Sequence, residues 1–217
     1  MDLLLGVLQY YQQYQATFWQ ATRQHLFLSL SALLIALVVC LPLGIWIAHR
    51  SALAQPVLNL FNALRVIPSL VILFLALPYL GIGTLPSLVA LTILACPPIL
   101  INTYAGMRQV NRAVIEAAYG MGMSFSQVLF RVEIPLSAGA ILGGIRISSV
   151  EVISSATLAS FIGGGGLGDF ITRGFALFDV RVMLVGAIPV ALMVLAAELL
   201  LSLASRPFRN LPGVSEI

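Results

Sequence analysis

The sequence predicts an all-α integral membrane protein with five or six transmembrane helices, and three observations carry that prediction. Of 217 residues, 60% are hydrophobic and only 9% are charged, against about 25% charged in a soluble domain. Mean hydropathy is +1.03. The apolar residues also gather into several windows close to the roughly 20 residues that a spanning helix needs. So few charges cannot cover a water-facing surface, so the outer solvent is lipid.

Residues 1–25 carry Tyr10, Tyr11, Tyr14, Phe18 and Trp19 among glutamines. Aromatic rings amid polar side chains suit the headgroup layer, so the segment reads as a helix lying in the interface. Its start has an acid and no base and lacks the form of a cleaved signal peptide. The first span, 26–48, ends at His49-Arg50. The second, 57–80, contains Arg65, Pro68 and Pro78. Either it starts near Pro56 with Arg65 facing protein, or residues 56–64 lie in the membrane plane and the span is short. Arg65 is expected to snorkel toward the cytoplasmic headgroups.

The third span, 85–106, holds a Pro97-Pro98 pair that should bend or break it. Residues 107–135 are polar. The fourth span, 136–160, is the least apolar, and a glycine-rich stretch separates it from the fifth, 182–205. Residues 206–217 form a tail. With the 107–135 loop in the cytoplasm, that side holds Arg50, Arg108, Arg112, Arg131, Arg206 and Arg209, and the other holds Arg23, Arg173 and Arg181. The excess of arginine favours this orientation.

Composition also excludes function classes. All eleven basic residues are arginines, and a P-loop ATPase needs a lysine on its phosphates. The net charge of +3 is explained by arginine-rich cytoplasmic loops rather than a nucleic-acid partner. Cys40 and Cys96 fall inside apolar runs and read as small buried hydrophobes. His25 and His49 are the sole histidines, and neither HExxH nor GxSxG is present. No catalytic residue and no metal site are therefore expected.

The polar stretch "NRAVIEAAYGMGMSFSQVLFRVEIP" reads as two short helices around a glycine turn. Gly120 and Gly122 allow the turn, Ser124 is a plausible N-cap, and Pro135 marks entry to the fourth span. Small residues on the first piece would let another protein's groove close around it. The bland alternative is an ordinary connecting loop.

Here the chain resembles the permeases of ATP-binding-cassette (ABC) importers, whose EAA loop has E-A-A, three residues, Gly, nine residues and I-x-L-P. This chain has Glu116-Ala117-Ala118, then Gly122, then Val132-Glu133-Ile134-Pro135 at the same spacing. The resemblance implies the type I, methionine-permease-like architecture. It also implies that Glu116, Ala117, Ala118, Gly122 and Pro135 belong to a coupling element that docks on a separate ATP-binding subunit. ATP and Mg would bind there, with no cofactor on this chain. A periplasmic or lipid-anchored substrate-binding protein and a second permease subunit, identical or homologous, are the other implied partners. The implied location is the bacterial inner membrane.

In "TLASFIGGGGLGDFI", Gly163, Gly165 and Gly168 satisfy GxGxxG, but a membrane span precedes them instead of the strand of a βαβ unit. Glycine there supplies a reversal and close backbone approach. The functional reading is a gate formed by Gly163, Gly164, Gly165, Gly166 and Gly168. The stretch resembles permeases for glycine betaine, carnitine or choline, as do "RVIPSLVILFL" and "VEIPL". Methionine-importer permeases, and at greater distance a passive channel, are the alternatives.

In the fourth span Gly144, Ser148, Glu151 and Ser155 fall on one stripe at helical period. Intramembrane charges face protein or water, so the stripe is either pore-lining or a contact to a second subunit. Pore-lining is the favoured reading, with Ser148, Glu151 and Ser155 on the translocation path. Arg146 lies about 140° around the helix from Glu151 and should not pair with it. No cage-like cluster of aromatics lies within the spans, so high-affinity selection of a quaternary amine would rest with the binding protein.

Overall fold

The computed structural model describes residues 2–208. The described residues form ten α-helices: α1 Asp2–Gln13, α2 Gln15–Ala48, α3 Ser51–Val66, α4 Ser69–Leu80, α5 Thr84–Gln109, α6 Arg112–Gly120, α7 Phe125–Val128, α8 Ile134–Ser155, α9 Gly168–Leu177 and α10 Val180–Ser205. Residues 206–208 add a short 3-10 turn, and the rest of the expected tail, with Arg209, lies outside the described residues.

Four helical stretches are long and apolar enough to cross a membrane, and the bent α3–α4 pair makes a fifth crossing if counted as one. The helix that carries the first span begins before residue 26. Residues 15–25 continue into α2 because Ala21, Thr22 and His25 are buried against the bundle. Only α1 is a separate element at the N-terminus, and it packs on α10, with the Arg181 stem lying over Gly6. At 1.5 Å per residue the 34 residues of α2 reach about 51 Å, beyond the roughly 30 Å hydrocarbon core.

The second crossing is broken. α3 and α4 meet at a 99° bend, where Pro68 forces Ile67 into an extended conformation (ψ 123°). No straight span therefore runs from Pro56 to residue 80. The Pro97-Pro98 pair acts differently, since α5 stays one helical element with both prolines buried. The prolines deprive the Ile93 and Leu94 carbonyls of their helical donors. Beside them the Ser148 hydroxyl donates to Ala95 O at 2.9 Å, and Asn102 Nδ2 donates to Pro98 O at 2.8 Å. These bonds reach carbonyls adjoining the pair rather than the two freed ones.

The core is built from close helix approaches. Ala32, Ala36, Cys40 and Gly44 recur every four residues on α2, are all buried, and pack on α5. Gly44 lies against Thr103, Gly106 against Ala140, and Gly144 against Asn102 and Pro98 O. Small residues let the α2, α5 and α8 backbones come together, which is how helices associate where lipid removes the hydrophobic drive. Cys40 and Cys96 are free thiols within this packing. By contrast α10 leaves Leu192, Leu195, Leu199, Leu200 and Leu203 exposed, as a lipid-facing helix should.

Candidate functional site

Arg50, Arg108, Arg112 and Arg131 are all exposed around the end of the bundle that carries α6 and α7. Asn111 opens α6 by accepting a hydrogen bond from Ala113 N at 2.9 Å. The helix closes with Gly122 N donating to Tyr119 O, and Gly122 takes φ +81°, a conformation that glycine adopts without strain. Ser124 N then donates to Gln127 Oε1 at 2.8 Å, one arm of a capping box that starts α7. The result is a rigid knob. Ala118 is buried and anchors it, while Glu116 and Ala117 face outward.

The knob also exposes large apolar side chains: Met121 is 76% exposed, Phe125 56% and Tyr119 44%. Tyr119 and Met121 lie outside the candidate spans at the end that carries the arginines, whereas Phe125 begins the Phe125–Ile162 span. An exposed apolar patch facing water marks a protein-docking surface.

Pro135 does not start a new helix. A π-helical turn, Leu129–Glu133, joins α7 to α8 without interruption, with Ile134 N donating to Leu129 O five residues back. The wider turn absorbs the donor that Pro135 lacks. The knob thus leads directly into the fourth span.

The polar stripe of that span divides. Gly144 and Ser148 face α5 and are buried, with Ser148 in the interhelical hydrogen bond described above. Glu151 and Ser155 instead line a cavity of about 360 Å³, together with Arg65, Pro68, Ser69 and Pro97. Arg65 is exposed at this cavity. The Pro68 break puts the end of α3, which packs on α5 and α2, at the cavity that α8 also lines. Arg146 pairs with Glu198 on α10 at 3.3 Å rather than with Glu151.

At the opposite end the glycine run is a packed turn. Gly163, Gly165 and Gly166 have φ between +71° and +90°. Gly164 O accepts from Gln24 Nε2 at 2.7 Å, and Ile162 O accepts from Gly83 N at 2.8 Å. A side chain on Gly164 would strike Ser87 and Ala159, and one on Gly168 would strike the Thr157 carbonyl. His25 Nε2 donates to Ile153 O at 3.1 Å just below. The turn is pinned to α2 and to the α4–α5 connection.

Residues 40–209 match the family described as binding-protein-dependent transport system inner membrane component. The chain belongs to that family. It is similar to the carnitine transport permease protein OpuCB of Listeria monocytogenes, at 48% identity over 82% of this chain and 81% of that protein. It is 40% identical to the choline transport system permease protein OpuBB of Bacillus subtilis (strain 168), over 85% of each. The glycine betaine/carnitine/choline transport system permease protein OpuCB of the same organism is 38% identical, over 90% of this chain and 91% of that protein. Among solved structures, the inward-facing MetNI methionine ABC transporter superposes with a TM-score of 0.82 at 19% identity, covering 91% of this chain and 99% of that one. An amino acid ABC transporter gives 0.74 at 21% identity, covering 90% and 95%. These likenesses show the fold, the type I ABC importer permease architecture, and the chain is a membrane-embedded permease.

Two residues stand where the sequence left the reading open or offered none. One is Arg65, weighed there as facing protein or snorkelling, which lines the cavity. The other is His49, whose Nε2 lies 2.9 Å from Glu133 Oε2 and whose Nδ1 lies 2.9 Å from Ile45 O. The Glu133 side chain is only 8% exposed, and Phe125 stacks edge-on against the His49 ring at 5.4 Å. The pair ties the end of α2 to the π-helical turn. The available signal was an acid buried next to Pro135, since a buried charge needs a partner.

Proposed function

We propose that this permease passes a small quaternary-ammonium solute, of the glycine betaine, carnitine or choline type, into the cell by alternating access. ATP hydrolysis on a separate ATP-binding subunit drives it. That subunit, which binds ATP and Mg, grips the α6–α7 knob through Glu116, Ala117, Gly122 and the apolar side chains around them, with the arginine-rich end in the cytoplasm. A second permease subunit completes the path, and a periplasmic or lipid-anchored binding protein delivers the solute. The Gly163–Gly168 turn is the outer gate, and Glu151 and Ser155 line the route.

The observation that carries this reading is the knob: a motif-spaced, capped element with exposed apolar side chains, continuous through Pro135 with a spanning helix. A nucleotide-driven closure at the knob would be transmitted along α8 to the cavity. A passive channel has no need of such an element. The solute class is supported by relatives at 38–48% identity, whereas the methionine-transporter likeness at 19% identity supports the fold alone.

Co-purification with the ATP-binding subunit and ATP-dependent uptake in liposomes test this together. Glu116→Lys or Gly122→Asp should release the subunit and abolish uptake. An unchanged complex with unchanged transport-linked ATPase activity overturns the coupling role, and solute uptake by the permease alone without ATP overturns the importer reading.

A further inference from the structure

α3 runs across the membrane rather than along its plane. It starts just after His49 and Arg50, and His49 lies 2.9 Å from Glu133, next to the head of α8. It ends at Leu64, Arg65 and Val66, which line a cavity together with Glu151, Ser154 and Ser155 of α8. Between Ile134 and Glu151 the spanning helix α8 rises about 26 Å, and the 16 residues of α3 reach about 24 Å at 1.5 Å per residue. A helix that has to cover such a rise with such a length lies close to parallel with α8.

The exposed surface of this helix divides into two faces. Gln55, Asn59 and Asn62 are exposed at spacing i, i+4 and i+7, one narrow stripe at helical period. Leu53 and Leu60 are also exposed, and Leu60 lies about 140° around the helix from Gln55. Ala54 is buried and Val57 and Phe61 pack on the core, which accounts for the third side. Along the stripe Gln55 Nε2 donates to Asn59 Oδ1 at 2.9 Å, and Asn62 has no hydrogen-bond partner among the described residues. The leucines suit lipid. Carboxamides at membrane depth do not, because lipid tails leave their donors and acceptors unsatisfied.

We propose that Gln55, Asn59 and Asn62 are the wall of a water-filled exit passage that leads from the cavity to the arginine-rich end. The inference rests on the permease reading above and adds the helix and the side chains that line the inner half of the route. The stripe runs into the cavity, since Val66 continues it one turn beyond Asn62 and is among the cavity's lining residues. Neutral amides offer both donors and acceptors, so they can stand in for the hydration of a small hydrophilic solute without gripping it by charge. Weak holding is what a conduction path requires, because the solute must also leave. A seam between packed helices takes small residues instead, as α2, α5 and α8 show at Gly44, Gly106 and Gly144. The stripe has none, so water is the cover that fits it.

The test uses the permease–ATPase complex in lipid nanodiscs, with Cys40 and Cys96 replaced by alanine and single reporters at Asn59→Cys, Asn62→Cys and Leu60→Cys. The probe is a membrane-impermeant methanethiosulfonate carrying a trimethylammonium group. Without nucleotide, Asn59→Cys and Asn62→Cys should react at least tenfold faster than Leu60→Cys, and trapping with ATP and vanadate should slow both at least fivefold. Val66→Cys serves in place of Asn62→Cys if the latter fails to assemble. Equal stripe rates in the two nucleotide states would put the carboxamides in the headgroup layer, and no reaction in either state would put them under a second subunit. A Leu60→Cys rate that matches the stripe would erase the division of faces. Each of these three results overturns the proposal. ATP-driven uptake by the wild type, read separately in liposomes with the binding protein, reports on the permease reading. Retained uptake without this labelling pattern sinks the exit passage alone.

Discussion

Replacing Met121 with serine tests the docking surface where its energy is easiest to work out. Burying a whole methionine side chain is worth about 1.5–3 kcal/mol. Met121 is 76% exposed in the permease alone, so a partner that covers it recovers about three quarters of that, roughly 1.1–2.3 kcal/mol. That corresponds to about 6- to 50-fold in dissociation constant. The side chain points away from the bundle, so the folded permease should keep its melting temperature. Titrating the ATP-binding subunit onto nanodisc-embedded permease, with interferometric readout, gives the two dissociation constants directly. A value within twofold of wild type at equal melting temperature would show that Met121 stays in water when the complex forms, and the docking surface would have to be sought elsewhere.

Three further outcomes follow from the packing and the charges. Gly168→Ala places a methyl group on the Thr157 carbonyl and should destabilise the protein by about 1–3 kcal/mol, read as a lower melting temperature in detergent; an unchanged value would mean the outer turn is looser than its contacts indicate. His49→Ala leaves the buried Glu133 carboxylate without its partner, a loss of about 1.5–3 kcal/mol. The His49→Ala/Glu133→Ala double variant should lose less than the sum of the two single variants, and strict additivity would contradict the pairing. At the head of α10, the hydrogen bond from Arg181 holds the Asp179 carboxyl below the ordinary carboxylate range. Its contribution is therefore complete above about pH 4 and is lost as pH falls through the lowered value. The stability gap between wild type and Asp179→Asn should be constant near neutrality and narrow on acidification below the ordinary carboxylate range, and a gap that widens along that acid limb would refute the assignment.

What the sequence revealed was local. The spacing from Glu116 to Pro135 needs only the chain's own order to be read, and it marked the knob and its link to the fourth span. Hydropathy found the crossings but not that residues 15–25 continue the same helix, where Ala21 packs with Phe170 of α9 and Val182 and Val185 of α10 and His25 bonds Ile153 O of α8. The stripe from Gly144 to Ser155 is a true helix face, yet period alone does not say where a neighbouring helix ends. α5 covers Gly144 and Ser148, and the cavity opens at Glu151 and Ser155. Arg65 and His49 were illegible for a different reason. Each meets its functional neighbour more than eighty residues away in sequence, and only the Pro68 break and the α2–π-turn contact bring them there.

The most direct test of the central claim, that force enters this permease through its cytoplasmic knob, is site-directed cross-linking from Met121→Cys. Cys40 and Cys96 lie in the helical core and can be replaced by alanine to leave a single reporter. The expected result is one cross-linked species with the ATP-binding subunit, with a yield that changes between the ATP-free and ATP-bound states. A reporter that labels only from the outer face of the membrane, or that never cross-links to that subunit in a transport-competent complex, would contradict it.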